Sequence, residues 1–331
     1  MRMVAEKAGV STATVSRVIS GSPLVRPETA AIVRRVIDEL QFIPNASATT
    51  LKYGRSDMFG IIVSNVINPF FLEFLRDFEG YLTEKQQGIL LANIEDPERA
   101  EGAVRRMLRH QVDGVVVIPS HEEFHDPYQR FVQRRIPVVT FDRRVVRPLV
   151  SDVSYRFDHG MQQAVGHLHA LGHRRIALIG GYETSTSSRL RAEAFIHAMQ
   201  EYRLEVRPEW MICGDYKVDG GEAAMRKFMH LPQRPTAVIS VNDMMALGAL
   251  RAAHAMGLAV PADVSLIGFD DILLSEIVSP SLTTLHVSRS AVAKGCIEAF
   301  TRMSEHPEEP GLQLMIDASL IVRDSTTAPP A

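Results

Sequence analysis

The sequence is poor in cysteine and contains no long apolar run. Its 331 residues include two cysteines, Cys213 and Cys296, which are far apart and have no second cysteine or histidine at metal-ligand spacing. This excludes a disulfide framework and a structural zinc site, and we expect two buried thiols in a reducing cytoplasm. No stretch approaches the roughly 18 apolar residues of a membrane span, and the N-terminus lacks the apolar core of a signal peptide. The sequence therefore predicts a soluble cytoplasmic protein with no membrane partner.

The motifs of common α/β enzymes are also missing. The chain has no GxGxxG after its first predicted strand, no GxSxG elbow and no GxxxxGK loop, which argues against a nucleotide-dependent dehydrogenase or a hydrolase. Its 12 histidines are scattered, and the one apparent cluster, His167, His169 and His173, has a spacing typical of a solvated surface. We expect no catalytic residues, no metal and no cofactor.

Charge is unevenly distributed, although the formal net charge is only −3. Residues 1–57 carry eight basic and five acidic side chains, a net charge of +3, which leaves 28 basic and 34 acidic residues, a net charge of −6, in the rest. A small basic head joined to an acidic body indicates that only the head meets a polyanion such as DNA.

The first 40 residues predict three short helices. The first, Met3–Ala8, ends at Gly9, which tolerates the positive φ of a sharp turn. The second begins at Ser11, whose hydroxyl can cap a helix, and the third has Pro27 in its first turn. Apolar residues recur three to four apart and are predicted to face the core of the head: Val15, Val18, Ile19, Ile32, Val33, Val36, Ile37 and Leu40.

A helix, a glycine turn and a second helix are the arrangement that presents a recognition helix to the major groove of DNA. Threonine and alanine can contact a thymine methyl group, hydroxyls can bond to bases or phosphates, and Arg17 can bind guanine or the backbone. Residue types alone leave an ordinary capped surface helix as an alternative. The predicted DNA-contacting residues of this helix are Ser11, Thr12, Ala13, Thr14, Ser16 and Arg17.

Pro44 to Asp57 form a polar linker, and beyond Met58 apolar strand-like runs alternate with amphipathic helices. This alternation predicts α/β architecture with doubly wound parallel sheets, and the length of the region predicts two lobes. The predicted strands are Phe59–Val63, Ile89–Ala92, Val115–Ile118, Val138–Phe141, Ile176–Ile179, Ala237–Val241 and Leu266–Phe269. The predicted helices include Phe70–Gln86, Ala100–His110, Gln162–Leu171, Arg191–Tyr202 and Met244–Met256.

The run VAEKAGVSTATVSRVISGSPLVRPETAAIVRRVIDELQFIPN strongly resembles the DNA-binding head of the lactose-repressor (LacI/GalR) family, and the resemblance continues over nearly the whole chain. The family pattern is a VA..AGVS..TVSRV core followed by a (G/Q)(Y/F).PN segment. The resemblance implies an N-terminal three-helix helix-turn-helix DNA-binding domain, a hinge helix, and a two-lobed sensor with the type I periplasmic-binding-protein fold. It also implies a homodimeric regulator, with repression as the family default, a palindromic operator and a small effector bound between the lobes.

We divide the chain accordingly. The predicted parts are the head at 1–44, the hinge helix and linker at 45–57, and the ligand-binding domain at 58–331, with an N-lobe at about 58–154 plus 286–307 and a C-lobe at about 155–285 plus 308–325. In the family, the hinge segment becomes helical on the operator and its leucine enters the minor groove, which implies roles for Asn45, Leu51 and Lys52. Simple packing against the next domain is the alternative for Leu51.

The start of the chain departs from the family. It begins MRM directly before Val4, whereas members usually have several residues there, including an aspartate and a threonine that starts the helix. A shortened first helix and a true start further upstream both stay open. The short head also leaves open a solute-binding sensor without functional DNA binding. A separate alternative, an exported solute-binding protein, would share the body but would need a signal peptide and no helix-turn-helix.

Polar residues recur at the C-terminal ends of the predicted strands, where open parallel sheets bind ligands. Asp142 and Asp270 can accept bonds from hydroxyls, Arg191 can donate, and the rings of the INPFF segment can stack on a sugar. Core packing for the two phenylalanines and surface ion pairs for the arginines are the alternatives. From these strand ends and from the resemblance, the predicted effector-binding residues are Asn68, Phe70, Phe71, Ser120, Asp142, Arg143, Arg191, Tyr216, Asn242 and Asp270.

This residue set suits a polyol, so the sequence predicts a sugar effector. The segment Val153–Gly160 departs from the family, because Arg156 and Phe157 stand where members usually have an Asp-Asn pair. An added cation in the site would favour a carboxylate or phosphate on the ligand. A sugar acid and a sugar phosphate therefore remain open beside a neutral sugar.

Overall fold

The computed structural model describes residues 1–19, 21–42, 54–94, 97–118 and 127–330. The chain forms two compact units, Met1–Ser56 and Asp57–Ala331. The first contains the basic head, and the second contains the α/β body.

The head consists of α1 (Arg2–Ala8), α2 (Thr12–Ile19) and α3 (Pro27–Glu39). Gly9 ends α1 with a φ of 67°, a left-handed conformation that glycine adopts without strain. Six side chains form the buried core of the head: Val4, Ala5, Val15, Val18, Val33 and Val36. The prediction for Ile32 was wrong, because this side chain is 43% exposed. It precedes Val33 by one residue and therefore points about 100° away from the buried stripe.

The body alternates strands with helices. Its strands are β1 (Met58–Val63), β2 (Gly88–Asn93), β3 (Gly114–Ile118), β4 (Val138–Phe141), β5 (Val150–Arg156), β6 (Ile176–Gly180), β7 (Met211–Cys213), β8 (Ala237–Ser240), β9 (Ser265–Asp270), β10 (Thr283–Val287) and β11 (Gln313–Ile321). Its helices are α4 (Pro69–Thr83), α5 (Pro97–Arg109), α6 (Pro127–Gln133), α7 (Phe157–Ala170), α8 (Thr186–Glu201), α9 (Val218–Met229), α10 (Asp243–Ala255), α11 (Leu273–Ile277) and α12 (Arg289–Glu305), and a short 3₁₀ helix spans Pro208–Trp210.

The strands follow the order β2-β1-β3-β4-β5-β11-β10-β9-β8-β6-β7. All neighbouring pairs are parallel except β10 and β11. The buried runs of β1, β3 and β4 are nearly all apolar, as expected for strands covered on both faces by helices. The predicted α/β class with a sheet dominated by parallel pairing is confirmed.

Two groups of strands form the two lobes, and β11 belongs to both. Gln313–Asp317 pairs in parallel with β5 of the N-lobe, and Ala318–Ile321 pairs antiparallel with β10 of the C-lobe. The predicted assignment of the whole segment 308–325 to the C-lobe therefore needs correction for the first half of β11. The exposed edge of β5 supplies the hydrogen-bonding partner for that half, which no local pattern in the sequence reveals. Helix α12 packs against α4, on the N-lobe side.

Two expectations about single side chains were wrong. His173 is fully buried: its Nδ1 lies 2.9 Å from the Thr236 hydroxyl, and its Nε2 lies 2.8 Å from the Thr327 carbonyl oxygen. These bonds tie the C-terminal segment to the C-lobe, and burial lowers the pKa of His173. Cys213, at the end of the three-residue strand β7, is exposed, whereas Cys296 is buried as expected.

Candidate effector cavity and DNA-reading surface

The start of α2 carries the predicted DNA-reading residues. The Ser11 hydroxyl accepts a hydrogen bond from the Thr14 backbone N–H at 3.1 Å, so Ser11 caps the helix. Thr12, Ala13 and Arg17 are exposed, and Thr14 and Ser16 are partly buried. The buried core residues of α2 lie on its other face, which leaves this surface available. The predicted hinge residues Asn45, Leu51 and Lys52 lie outside the described residues and stay predictions.

Replacing the cap tests the local stability of α2. In Ser11→Ala we expect a loss of about 1 kcal/mol in the opening free energy of α2, because the Thr14 amide loses its acceptor. Hydrogen exchange of the α2 amides in the DNA-free protein should then accelerate about fivefold. Ser11→Asn supplies another good cap and should restore the wild-type rate. Equal exchange rates in the alanine variant and the wild type would contradict the cap.

A cavity opens in the body at the C-terminal ends of the strands. It is lined by Ser64, Asn65, Asn68, Phe70, Phe71, Ile118, Phe141, Asp142, Tyr155, Tyr182, Ser185, Ser187, Arg191, Asp215, Tyr216, Lys217, Asn242 and Asp270. Eight of the predicted effector residues lie together here: Asn68, Phe70, Phe71, Asp142, Arg191, Tyr216, Asn242 and Asp270. Ser120 lies outside the described residues. Arg143 is not among the lining residues, and its backbone N–H donates to Asp152 Oδ1 at 3.0 Å. A contact between its side chain and the effector stays a prediction.

Two asparagines of the cavity also begin helices. Asn68 caps α4 by accepting a bond from the Phe70 N–H at 3.1 Å, and its Nδ2 donates to Asp270 Oδ2 at 3.4 Å. Asn242 caps α10 in the same way, and its Nδ2 donates to the Tyr216 carbonyl oxygen at 3.0 Å. Both side-chain amides are buried, and the oxygen and the nitrogen of each already form a hydrogen bond. Any further hydrogen bond to a ligand must therefore form in a fixed direction.

Asp142 joins the two lobes. Its Oδ1 accepts a bond from the Tyr155 N–H at 3.1 Å, and its Oδ2 accepts one from the Ser187 hydroxyl, at the start of α8, at 2.8 Å. The backbone of Asp142 is left-handed, with a φ of 54°. Such a conformation is costly for a non-glycine residue and persists only where the surroundings enforce it.

Arg191 lies between two aromatic rings. Its Cζ is 4.7 Å from the ring centroid of Phe157 and 4.8 Å from that of Phe269, and the residue is 7% exposed. Among the residues that the structure describes, its Nε has no hydrogen-bond partner, and neither does the buried Tyr216 hydroxyl. Burying a polar group without a hydrogen bond is costly. A ligand that forms hydrogen bonds to these two groups of the cavity wall would therefore bind favourably.

The two buried carboxyl groups have shifted pKa values. Burial raises the pKa of Asp142 to about 6 and that of Asp270 to about 8, and the positive charge of Arg191 opposes both shifts. The negative charge of Asp243 raises the pKa of Asp270 further. Asp270 therefore holds its proton far above the normal pH range for a carboxyl group.

This pKa predicts a pH dependence of stability. An unfolded aspartate titrates near pH ~3.9, so between about pH 4 and 8 the folded chain retains a proton on Asp270 that the unfolded chain has lost. Because the folded state binds more protons, this contribution to stability declines as the pH rises through that window. In Asp270→Asn this contribution should be absent, so stability should decline less steeply than in the wild type. The decline that remains comes from Asp142 and Asp243, whose pKa values are each raised by burial to about 6. Urea unfolding at several pH values measures the difference between the variant and the wild type.

A matched variant controls for removal of a surface charge. Asp219 in α9 has a side chain that is 89% exposed, so Asp219→Asn should keep the wild-type pH dependence. A constant stability difference between Asp270→Asn and the wild type across the whole window would contradict the raised pKa of Asp270.

The expectation that Arg156 adds a cation to the effector site was wrong. Arg156 is not among the lining residues and forms an exposed ion pair with Asp317 at 3.2 Å. Successive residues of a strand point to opposite faces, so Tyr155 at the end of β5 reaches the cavity and Arg156 points away. Phe157 contributes indirectly, because its ring packs on the Arg191 guanidinium.

Several lining residues were missed by sequence analysis. They are Ser64, Asn65, Ile118, Phe141, Tyr155, Tyr182, Ser185, Ser187, Asp215 and Lys217. Tyr182 and Tyr216 contact each other edge to face, with ring centroids 5.7 Å apart. Gly181 makes room for this pair, since a Cβ there would lie 2.1 Å from the Tyr216 ring. The position of Tyr182, two residues after the end of β6, is a signal in the sequence, because it matches the strand-end pattern.

The described parts of the chain contain neither a metal-ion cluster nor a membrane-spanning helix. Residues 1–19, 21–42, 54–94, 97–118 and 127–330 contain no group of three or more histidine, cysteine or acidic side chains placed to hold a metal ion. Over the same described ranges, no helix combines the length and apolar character needed to cross a bilayer.

Comparison with known proteins identifies the class of both units. Residues 1–45 match the family described as "Bacterial regulatory proteins, lacI family", and residues 165–326 match the "Periplasmic binding protein-like domain". The HTH-type transcriptional repressor PurR of Pasteurella multocida (strain Pm70) is 33% identical over 329 residues, covering 97% of both chains. The ribose operon repressor of Escherichia coli (strain K12) is 33% identical over 331 residues, covering 98% of this chain and 99% of the relative.

Solved structures agree with these matches. The lac repressor dimer bound to operator and the anti-inducer ONPF has a TM-score of 0.85 and 27% identity, with 98% of both chains covered. The complex of the transcriptional regulator CelR with cellobiose has a TM-score of 0.74 and 30% identity at the same coverage. A helix-turn-helix head followed by a periplasmic-binding-protein-like body defines a ligand-responsive transcription regulator.

The chain belongs to the lacI family of bacterial regulatory proteins. The predicted family, the two-lobed fold and the function as a DNA-binding transcriptional repressor controlled by a small molecule are confirmed. The relatives are named as transcriptional repressors and not as enzymes.

Proposed function

We propose that this repressor responds to a neutral monosaccharide bound in the cavity between its lobes. The observation that carries the proposal is the pairing of two buried carboxyl groups, Asp142 and Asp270, with the buried and unpartnered Nε of Arg191. Such a wall offers acceptors and donors at fixed positions, and adjacent hydroxyl groups of a sugar can satisfy both at once.

The apolar part of the cavity fits the same ligand class. Phe70 and Phe71 begin α4 on the N-lobe side, and Tyr182 and Tyr216 stand on the C-lobe side. Aromatic rings can cover the C–H face of a sugar ring while polar groups bind its edge. The names of two relatives, the ribose operon repressor and the CelR–cellobiose complex, support a sugar ligand in this family.

The cavity has room for a small ligand. Its volume is about 100 Å³, well above the roughly 10–15 Å³ needed to hold a single water molecule. This space is compatible with a monosaccharide.

The charges of the cavity favour a neutral sugar over a sugar acid or phosphate. Arg156, the residue that suggested an anionic ligand, points away from the cavity. The start of α8 already faces an anion, because Ser187 in its first turn donates to the Asp142 carboxylate. A ligand carboxylate or phosphate would lie close to the Asp142 carboxylate, which already has the positive charge of Arg191 as its partner.

We propose that the chain acts on DNA as a homodimer. A structurally similar protein is described as a lac repressor dimer bound to operator, and a twofold dimer matches a palindromic site. Lobe closure around the sugar would change the separation of the two heads. Effector control of this kind needs a coupling of only about 1–3 kcal/mol. The residues that would read each half-site are those of α2, with the linker residues Asn45, Leu51 and Lys52 contributing at the hinge.

A thermal-shift screen tests the ligand class. The panel contains aldopentoses, aldohexoses, sugar acids, sugar phosphates and, as planar ligands that the aromatic rings could hold, free nucleobases. We expect stabilisation by at least one neutral monosaccharide and none by the anionic sugars. A gel shift on DNA flanking the coding region, with and without that sugar, then gives the sign of regulation. Stabilisation by anionic sugars or nucleobases alone would contradict the proposal.

A further inference from the structure

The backbone that carries Asp270 is strained. Asp270 has a φ of 116° and Asp271 a φ of 56°, so two successive non-glycine residues have a positive φ at the end of β9. Such a conformation is costly for a non-glycine residue and needs surrounding contacts that enforce it. We refer to these two residues as the Asp270–Asp271 turn.

Arg289 binds this turn through its backbone carbonyls. Its Nη1 donates to the Asp270 oxygen at 2.7 Å and to the Val287 oxygen at 3.0 Å, and its Nη2 donates to the Asp271 oxygen at 2.8 Å. The planar guanidinium can reach three carbonyls from one side, which a single ammonium group does not match in geometry.

Glu73 holds Arg289 from the N-lobe. Its Oε2 lies 2.7 Å from Arg289 Nη2, and the two side chains are only 19% and 14% exposed. The Oε1 of Glu73 accepts a bond from the Leu273 N–H at 3.2 Å. Glu73 belongs to α4, whose cap Asn68 donates to the Asp270 carboxyl group. Helix α4 thus reaches Asp270 twice, directly through Asn68 and indirectly through the Glu73–Arg289 pair.

The neighbouring carboxylate has its own partners. Asp271 Oδ2 lies 2.8 Å from His286 Nδ1, and Asp271 Oδ1 lies 2.7 Å from Arg323 Nη2. These contacts from His286 and Arg323 fix the side chain of Asp271. They do not involve the Asp270 carbonyl oxygen. Arg289 therefore has a separate role, because its guanidinium binds the carbonyl oxygens of both residues of the turn, while the Asp243 carboxylate accepts a bond from the next amide, that of Ile272.

We propose that Arg289 is a positioning residue that holds the strained Asp270–Asp271 turn, so that the Asp270 carboxyl group faces the cavity, and that Glu73 keeps Arg289 in place. The link to effector binding rests on the proposed function of Asp270. The positioning itself can be measured without any ligand.

Hydrogen exchange in the ligand-free full chain tests the positioning. In Arg289→Gln, the amides of residues 270–273 should exchange at least about tenfold faster than in the wild type, while those of α8 and α10 keep their rates. Arg289→Lys retains the positive charge but not the planar donor set, and should restore only part of the protection. Arg302→Gln removes an exposed pair with Glu309 from the same helix and is the matched control.

Titration with D-ribose separates this proposal from the proposed function. If the wild type binds D-ribose, Arg289→Gln should weaken binding at least tenfold and Arg302→Gln should leave it unchanged. If the wild type does not bind D-ribose, a pentose effector of this type is contradicted, and the exchange measurement still decides the role of Arg289. Wild-type exchange at residues 270–273 in Arg289→Gln, or full restoration of protection by lysine, would overturn the positioning role.

Discussion

Asp270→Ala is expected to bind operator DNA normally and to lose its response to the sugar. The carboxyl group is 5% exposed and lies opposite Asn68, so a ligand hydroxyl that binds there has no water to replace the lost acceptor. Because Asp270 is protonated near neutral pH, this is a contact between neutral groups, and leaving a buried hydrogen-bonding group without its partner costs about 1–3 kcal/mol, a loss of roughly 5-fold to 150-fold in sugar affinity. Isothermal titration with the sugar identified by the screen measures this loss.

The same variant should remain folded. Removing a carboxyl group whose burial is unfavourable should leave the melting temperature of the ligand-free protein unchanged or raise it near neutral pH. Asp219→Ala in α9, with a side chain 89% exposed in the wild type, is the matched control and should bind the sugar like the wild type. If Asp270→Ala retained sugar binding within about threefold, Asp270 would not be an effector ligand.

Much of the parallel sheet could be predicted from the sequence because buried strands leave a continuous apolar run. The predicted Val138–Phe141 agrees with β4, and Val115–Ile118 differs from β3 by one residue. Strands β10 and β11 were missed because they carry polar residues: β10 begins with two threonines, and β11 alternates exposed and partly buried positions. Pairing between distant segments stabilises such strands, and local sequence does not encode it.

The cavity was partly predictable for a related reason. The C-terminal ends of parallel strands meet at one edge, so Asp142, Asn242 and Asp270 could be placed together from strand positions alone. The wrong expectation for Arg156 came from reading a motif position without the strand alternation that directs Tyr155 inward. Ser187 was missed because it lies on a helix start and not at a strand end, and its bond to Asp142 depends on how closely the lobes approach.

Long-range backbone contacts were outside the reach of sequence analysis. Nothing in the sequence near Arg289 indicates that its guanidinium binds the carbonyls at the end of β9, because those residues lie about 18 positions earlier. The positive φ of Asp270 is equally hidden, since aspartate gives no conformational signal as strong as that of glycine. Candidate residues of the cavity wall can thus be found from patterns, whereas the residues that orient them require the fold.

Arg17→Ala is expected to weaken operator binding much more than binding to random DNA. Arg17 is exposed on α2, on the side opposite the buried Val15 and Val18. A lost base contact costs about 1–3 kcal/mol, and a dimer loses it twice, so operator affinity should decline by roughly 30-fold or more. Fluorescence anisotropy with operator and random duplexes at one fixed salt concentration measures both affinities, because the phosphate contribution depends on salt.

Arg35→Ala separates base reading from general charge. Arg35 lies on α3, and its side chain is 72% exposed. Its replacement by alanine removes the same positive charge from the head as Arg17→Ala does. We expect it to reduce affinity for both duplexes by a similar small factor. If Arg17→Ala behaved in that way, Arg17 would contact the phosphate backbone alone, and sequence recognition would have to come from Thr12, Ala13 and the other exposed residues of α2. If Arg17→Ala had no effect on either duplex, this face of α2 would not be the DNA-reading surface.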